Sequence, residues 1–315
     1  MISYLIRRTG LSLVIVALVI VALFLMIHLI PGDPVSIALG PRATPEAEAR
    51  FIEKMKLDQP IYVQLAAFFG NLLTGDLGRD IFTDRPVLDL VLAQLPNTVI
   101  LAVASLGWAI VIGIPLGCFS AAHPNSAADR ITGILSVGTI AVPSFVVSIY
   151  ALLLLAIELR WFPVIGINDE PGLWAQLRFL TLPAFAVGLG WVGYLARIVR
   201  ASMLEVLGEN HVRAATAFGL PRRKIVYNYA LRVAILPTIT LIGVGFGGLL
   251  SGAVFAEIIF TRPGLGKLIF DMVEARNFPV VQGAVLITAL LYVFALLATD
   301  VLAAFFDPRM RQKLN

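Results

Sequence analysis

Residues Asn210 to Pro237, NHVRAATAFGLPRRKIVYNYALRVAILP, lie between two apolar stretches and carry Arg213, Arg222, Arg223, Lys224 and Arg232. The small residues Ala214, Ala215 and Ala217 run up to Gly219, Pro221 follows, and Leu236-Pro237 leads into the next apolar run. A glycine just after a short helical pattern stops a helix, and a proline opens the next one without losing a hydrogen bond. The stretch therefore predicts a short helix, a stop and a second helix, exposed beside a membrane domain. Its side chains are small enough for another protein to reach the backbone, which suits a docking element better than a plain basic linker.

Working outward, composition supplies the membrane. The chain has 315 residues, 59% hydrophobic and 14% charged, with a mean hydropathy of +0.90. That balance is too apolar for a water-soluble domain. The net charge of +4 is small; a basic loop rim accounts for it and no nucleic acid is needed. The single Cys118 lies in an apolar run, which excludes a disulfide framework or a cysteine metal site.

Arg7 and Arg8 precede a run from Thr9 to Ile30 whose one ionisable residue is His28, long enough to cross a bilayer and too long for a signal-peptide core. Pro31-Gly32-Asp33-Pro34 ends it. A polar segment follows, with a helix expected from Thr44-Pro45-Glu46 to about Lys56 and an amphipathic stretch at Ile61 to Leu73. Further spans are expected at Thr98–Ala122, Ile131–Ile157, Phe179–Ala196, Val233–Ala256 and about Phe278–Thr299, six in total. Internal Pro115, Pro143, Pro183, Gly243, Gly245, Gly247 and Gly248 are tolerated in lipid, and the glycines read first as close packing.

Orientation follows from short loops. Arg7, Arg8, Arg130, the basic residues of 197–232, Arg309, Arg311 and Lys313 fall on one side with few acids, which predicts that both termini are cytoplasmic. Gly264-Leu265-Gly266-Lys267 is not a phosphate loop, because the spacing to the first glycine fails and Leu268 stands where Ser or Thr would hold magnesium. No zinc-protease or nucleophile-elbow motif occurs in the sequence. Ionisable groups inside the spans are scarce: Asp300 lies near the cytoplasmic end of the last span, and Glu158 and Glu257 at the external ends of the spans Ile131–Ile157 and Val233–Ala256. This weighs against a proton- or ion-coupled carrier.

The stretch 213–237 resembles the cytoplasmic loop by which permeases of ATP-binding-cassette (ABC) importers dock on their ATP-binding subunits. The general pattern is Glu-Ala-Ala, three residues, Gly, and a tail ending in Leu-Pro. Here Arg213-Ala214-Ala215, Gly219 and Leu236-Pro237 fill it. Arg213 in place of Glu, the longer tail, and Ala230-Leu231-Arg232 are similar to the peptide and nickel branch. Three further stretches resemble that branch in the same order. They are Pro31 to Pro34 after the first helix, Gly75-Asp76-Leu77-Gly78 with Leu95-Pro96-Asn97-Thr98, and Pro263-Gly264-Leu265-Gly266 with Phe278 to Gly283.

The resemblance implies an all-α integral membrane protein with six transmembrane helices in the type I ABC importer fold. It implies an N-terminal helix and extracytoplasmic subdomain at 1–94, a core at 95–304 and a cytoplasmic tail at 305–315. It further implies a non-catalytic, multi-pass subunit of the bacterial inner membrane that imports short peptides. A second permease, two cytoplasmic ATP-binding subunits and an extracytoplasmic peptide-binding protein complete the machine. ATP and magnesium belong to those partners, and this chain holds no cofactor, metal or catalytic residue of its own.

Nickel or glutathione as cargo stays open within the same fold, as does an ATP-independent carrier outside it. The expected ATPase-coupling residues are Arg213, Ala214, Ala215, Gly219, Pro221, Arg222, Arg223, Leu236 and Pro237, with Ala214, Ala215 and Gly219 as close-approach positions. Glu257, Arg262, Pro263, Gly264 and Gly266 form a candidate external gate, on which Leu265 should be reachable from outside.

Overall fold

The computed structural model describes residues 2–29, 44–46, 49, 52, 59–165 and 172–306. The Pro31–Pro34 break and most of the helix expected after Thr44 lie outside the described residues, as does most of the C-terminal tail. Helices dominate: α1 Ile2–Leu29, α2 Ile61–Leu73, α3 Val87–Ala122, α4 Ala127–Ala141 and α5 Ser144–Ala151, which continues as a π-helical turn over Leu152–Glu158. Then come α6 Leu173–Leu207, α7 Asn210–Ala217, α8 Arg222–Ala234, α9 Leu236–Ile259, α10 Leu265–Glu274 and α11 Phe278–Phe306. Among the described residues the only β pairing is an isolated bridge between Arg79 and Pro86.

Among the described residues four helices are long and apolar enough to cross a bilayer: Arg7–Leu25, Val87–Ala122, Trp174–Leu207 and Phe278–Thr299. Two bent pairs bring the number to six if each pair is one span. The expected span Ile131–Ile157 is not a single rod: α4 and α5 meet at 98°. Val142 adopts φ −89, ψ 120, as the residue before a proline prefers, and Pro143 supplies no N–H to bridge the corner. The expected span at Phe179–Ala196 is instead the middle of α6, which is longer at both ends.

The chain divides into two compact units. One comprises residues 1–5, 99–262 and 295–315. Its organising member is α6, which α4, α5, α8 and α9 all pack against. Contact is at backbone distance. A Cβ added to Gly113 or Gly117 of α3 would lie 2.8 Å from the Val192 carbonyl or 2.6 Å from the Ala196 carbonyl of α6. On α6 itself, Gly188 faces the Ser105 carbonyl and Gly193 the Ser136 carbonyl, 2.5 and 2.6 Å from an added Cβ. Gly245 of α9 lies against the Trp191 ring, 2.5 Å from an added Cβ.

These close approaches replace the hydrophobic effect, which gives no drive between helices already surrounded by hydrocarbon. The Trp108 indole donates to the Ala184 carbonyl at 2.7 Å and stacks on Phe185, ring centroids 5.3 Å apart. The crook of the α4–α5 bend holds an apolar cavity of about 520 Å³ lined by Leu135, Val142, Tyr150, Phe185 and neighbours.

The other unit comprises residues 6–98 and 263–294. Phe68 of α2 packs with Ile20, Leu23 and Phe24 of α1 and with Leu286. A second cluster joins Val87 and Val91 to Leu265, Val280 and Ala284. The turn before α3 needs its glycines, since Gly75 and Gly78 have φ +79 and +88. Within that turn Asp80 is buried and accepts from the Phe82 amide, Thr83 Oγ1 and Asn277 Nδ2. Burial alone would raise its pKa, but these donors together hold it below the usual carboxylate value.

Where backbone contact matters, added volume has no room. Gly117→Ala should lower the melting temperature of the detergent-solubilised protein, through an overpacking cost of about 1–3 kcal/mol. Gly107→Ala, on the same helix with open space around it, should be neutral or stabilising by up to about 1 kcal/mol.

Candidate docking hairpin and its footing

Helix α7 opens after Glu209, and Val212 and Ala215 form its buried face. At its end the Gly219 amide donates to the Thr216 carbonyl at 3.0 Å and the Leu220 amide to the Ala215 carbonyl at 3.2 Å. Gly219 has φ +74. This pair of bonds around a left-handed glycine closes the helix, and Leu220 packs back on the same apolar cluster as Ala215. Pro221 then leads into α8, whose first turn is Arg222–Lys224 and whose π-helical middle buries Ile225, Val226 and Ala230. Helix, glycine stop and proline start therefore occur where the residue pattern puts them.

The buried faces of α7 and α8 meet Cys118, Ala121 and Ala122 of α3 and Val199, Met203 and Val206 of α6 in one apolar cluster. The hairpin is thus seated on the ends of two long helices. Arg222 adds a directed bond, donating from Nη2 to the Ala122 carbonyl at 2.5 Å and so capping the C-terminus of α3. A cation there satisfies an orphan carbonyl and opposes the negative end of the helix dipole.

The expected coupling residues divide by exposure. Arg213, Ala214, Gly219, Pro221, Arg222, Arg223 and Pro237 are exposed, and Leu236 is half-buried at the start of α9. Ala215, expected as a close-approach position, is buried in the chain's own core; its small size serves the packing of α7 on the helix ends. The sequence reading passed over Phe218, which is 86% exposed beside Gly219.

A second feature escaped the sequence. Asp129, 4% exposed in the first turn of α4, receives a two-pronged ion pair from Arg200 of α6: Nε to Oδ1 at 2.6 Å and Nη2 to Oδ2 at 2.8 Å. Ser120 Oγ of α3 donates to Oδ1, and the Asn125 amide donates to Oδ2 at 2.9 Å. Ser126 Oγ caps the same turn by accepting from the Asp129 amide at 3.1 Å. One carboxylate thereby ties α3, α4 and α6 together near the seat of the hairpin. The available signal was an acid just before one apolar run and an arginine just after another, since charges at such places pair with each other.

The candidate gate residues are interior. In the first unit Glu257 is fully buried, and Arg262 is 9% exposed with its Nε lacking a hydrogen-bond partner. Burial lowers the Arg262 pKa, and the nearby Glu257 charge opposes that shift. In the second unit Gly264 precedes α10, and Gly264, Leu265 and Gly266 are buried while Pro263 is half-buried. The Leu265 amide donates to Thr98 Oγ1 at 2.8 Å, and its side chain is 1% exposed. Leu265 is a core residue, so the expectation that a reagent reaches it is corrected.

A multi-pass helical membrane protein with an exposed basic hairpin is the class that this architecture defines. Comparison with known proteins gives the family. Residues 113–312 match the family described as binding-protein-dependent transport system inner membrane component, and residues 1–102 match its N-terminal counterpart.

The chain is 36% identical over 314 residues to the oligopeptide transport system permease protein AppB of Bacillus subtilis, covering 98% of this chain and 99% of that one. It is 32% identical to the dipeptide transport system permease protein DppB of Alkalihalophilus pseudofirmus, covering 99% and 100%. It is 33% identical to the glutathione transport system permease protein GsiC of Escherichia coli K12, again covering 99% and 100%. Among solved structures, a chain of the MetNI methionine ABC transporter in inward facing conformations superposes with a TM-score of 0.57 at 16% identity, covering 69% of this chain and 96% of that one. The chain belongs to the binding-protein-dependent transport system inner membrane component family. It is a multi-pass permease subunit of an ABC importer, and ATP hydrolysis falls to separate subunits.

Removing Arg200 leaves the buried Asp129 carboxylate without its counter-charge, whereas removing Asp129 leaves a guanidinium that is 34% exposed and reachable by water. Arg200→Ala should therefore cost about 3 kcal/mol of stability and Asp129→Ala less. The double variant should lose clearly less than the sum, as for groups in direct contact. Thermal melts of the four proteins in one detergent check this.

Proposed function

We propose that this permease imports short peptides, driven by cytoplasmic ATP-binding subunits that dock on the hairpin 210–237. The cargo reading is supported by the relatives named for oligopeptide and dipeptide transport. The relative named for glutathione, itself a short peptide, favours that cargo as the second reading. The observation that carries the coupling reading is the seat of the hairpin. It shares an apolar core with the ends of α3 and α6, and Arg222 bonds the end of α3. A push on the hairpin therefore passes directly into two long helices.

The assembly consists of this chain, a second homologous permease, two ATP-binding subunits that use ATP and magnesium, and an extracytoplasmic peptide-binding protein. Both termini and the hairpin face the cytoplasm, and the transport core runs from about residue 95 to 304, after the positive-inside asymmetry and the order of the motifs. ATP binding draws the ATP-binding subunits together and carries the two hairpins with them. The helices then exchange inward- and outward-open arrangements, each favoured by a different ligand state. The segment from Glu257 to Gly266 closes the outer end in this scheme.

Gly219 separates backbone conformation from close approach. Nothing lies within 4 Å of a Cβ added there, yet its φ of +74 strains most side chains. Asparagine tolerates that conformation. In proteoliposomes with all partners and the binding protein, Gly219→Asn should insert and melt normally. Peptide uptake per ATP hydrolysed should nevertheless fall several-fold, because the added amide meets the docked subunit. Unchanged coupling in that variant would refute contact at this glycine.

A further inference from the structure

The large apolar side chains of the hairpin mostly turn inward. Val212, Ile225 and Val226 are buried, and Leu220 is half-buried against the same cluster. Phe218 does the opposite at 86% exposure, about twice that of Tyr227 and Tyr229 on the return helix, at 45% and 39%. Its neighbours Ala214, Thr216, Ala217 and Gly219 are exposed and small, so the ring has no bulky side chain adjacent in sequence to shield it.

The backbone beneath the ring is fixed. The Phe218 amide donates to the Ala214 carbonyl at 3.0 Å, and the two bonds that close α7 follow immediately at Gly219 and Leu220. An aromatic held on a rigid turn loses little freedom on binding, which is the character of an interface anchor. Along the hairpin sequence the charge is of one sign; the nearest acid, Glu209, stands at the far end of α7 and pairs with His211. Arg213, Arg222, Arg223 and Lys224 are exposed, and no acid occurs between Asn210 and Pro237.

We propose that Phe218 is the apolar anchor of this hairpin, seated in a pocket of the ATP-binding subunit that is apolar at its floor and acidic at its rim. The proposal rests on the docking reading above and adds the chemistry of the partner surface. A membrane-surface role is the weaker alternative. Segments that lie in the bilayer interface present several apolar side chains on one face, whereas Phe218 stands among alanines and cations.

The test uses the full importer, captured through a tag on this chain with the ATP-binding subunits at limiting concentration. Phe218→Ala should lower the retained ATP-binding subunit at least about tenfold, the loss typical of an aromatic hot spot. Phe218→Leu should recover most of it, with both variants melting like the parent. If the parent chain itself retains no ATP-binding subunit, the docking reading fails and the anchor with it. If the parent retains the subunit and Phe218→Ala does so equally well, the anchor alone is overturned.

A second measurement places the ring. The fluorescence that Phe218→Trp adds to that of the four native tryptophans in the assembled complex should survive when brominated lipids replace ordinary ones. Strong quenching of that added signal would put the side chain in the bilayer and overturn the proposal.

Discussion

Helix–helix contact at backbone distance is the constraint on which the transport core depends. In a bilayer, apolar side chains gain nothing by leaving lipid for protein, so association has to come from dispersion and directed bonds over short range. Helix α6 meets that requirement on several sides. Gly113 and Gly117 bring α3 onto its carbonyls, Gly193 admits α4, and Trp191 fills the groove left by Gly245 and Gly248 of α9. A helix held this closely by its neighbours transmits displacement, because no soft layer of side chains lies between.

The hairpin makes use of that stiffness. Its buried faces continue the contact between the ends of α3 and α6, so it belongs to the same packed body as those helices. Two polar devices sit at this end. Arg222 closes the terminus of α3, and the Asp129 carboxylate gathers Ser120, Asn125 and Arg200. A carboxylate with this many donors is well satisfied despite its burial, and losing its cation would leave that charge unpaired. The 98° turn between α4 and α5 follows directly beyond it in the chain.

Much of this was legible in the sequence because the signals are local. Gly219 with Pro221 sets out the hairpin, uncharged runs mark the spans, and Gly75 and Gly78 mark the turn that their positive φ values require. What failed did so for want of distance information. Pro143 reads as a kink within one span, but whether a proline bends a helix by a little or by 98° depends on what the two halves pack against. Ala215 reads as open to a partner and Leu265 as open to solvent, yet each faces its own unit's core. The pair Asp129 and Arg200 is separated by 71 residues, and no periodicity links them. Phe218 was passed over for the opposite reason: one aromatic in a basic loop carries no pattern until its exposure is known.

The central claim is that the hairpin touches the ATP-binding subunit while the machine runs. A photoreactive amino acid placed at Ala217, exposed at the end of α7, tests it in native membranes. Irradiation should yield one dominant adduct, identified by mass spectrometry as the ATP-binding subunit, with a yield that changes when ATP is trapped. Adducts formed only with lipid, or the same yield in every nucleotide state, would contradict the account and leave the hairpin a basic linker.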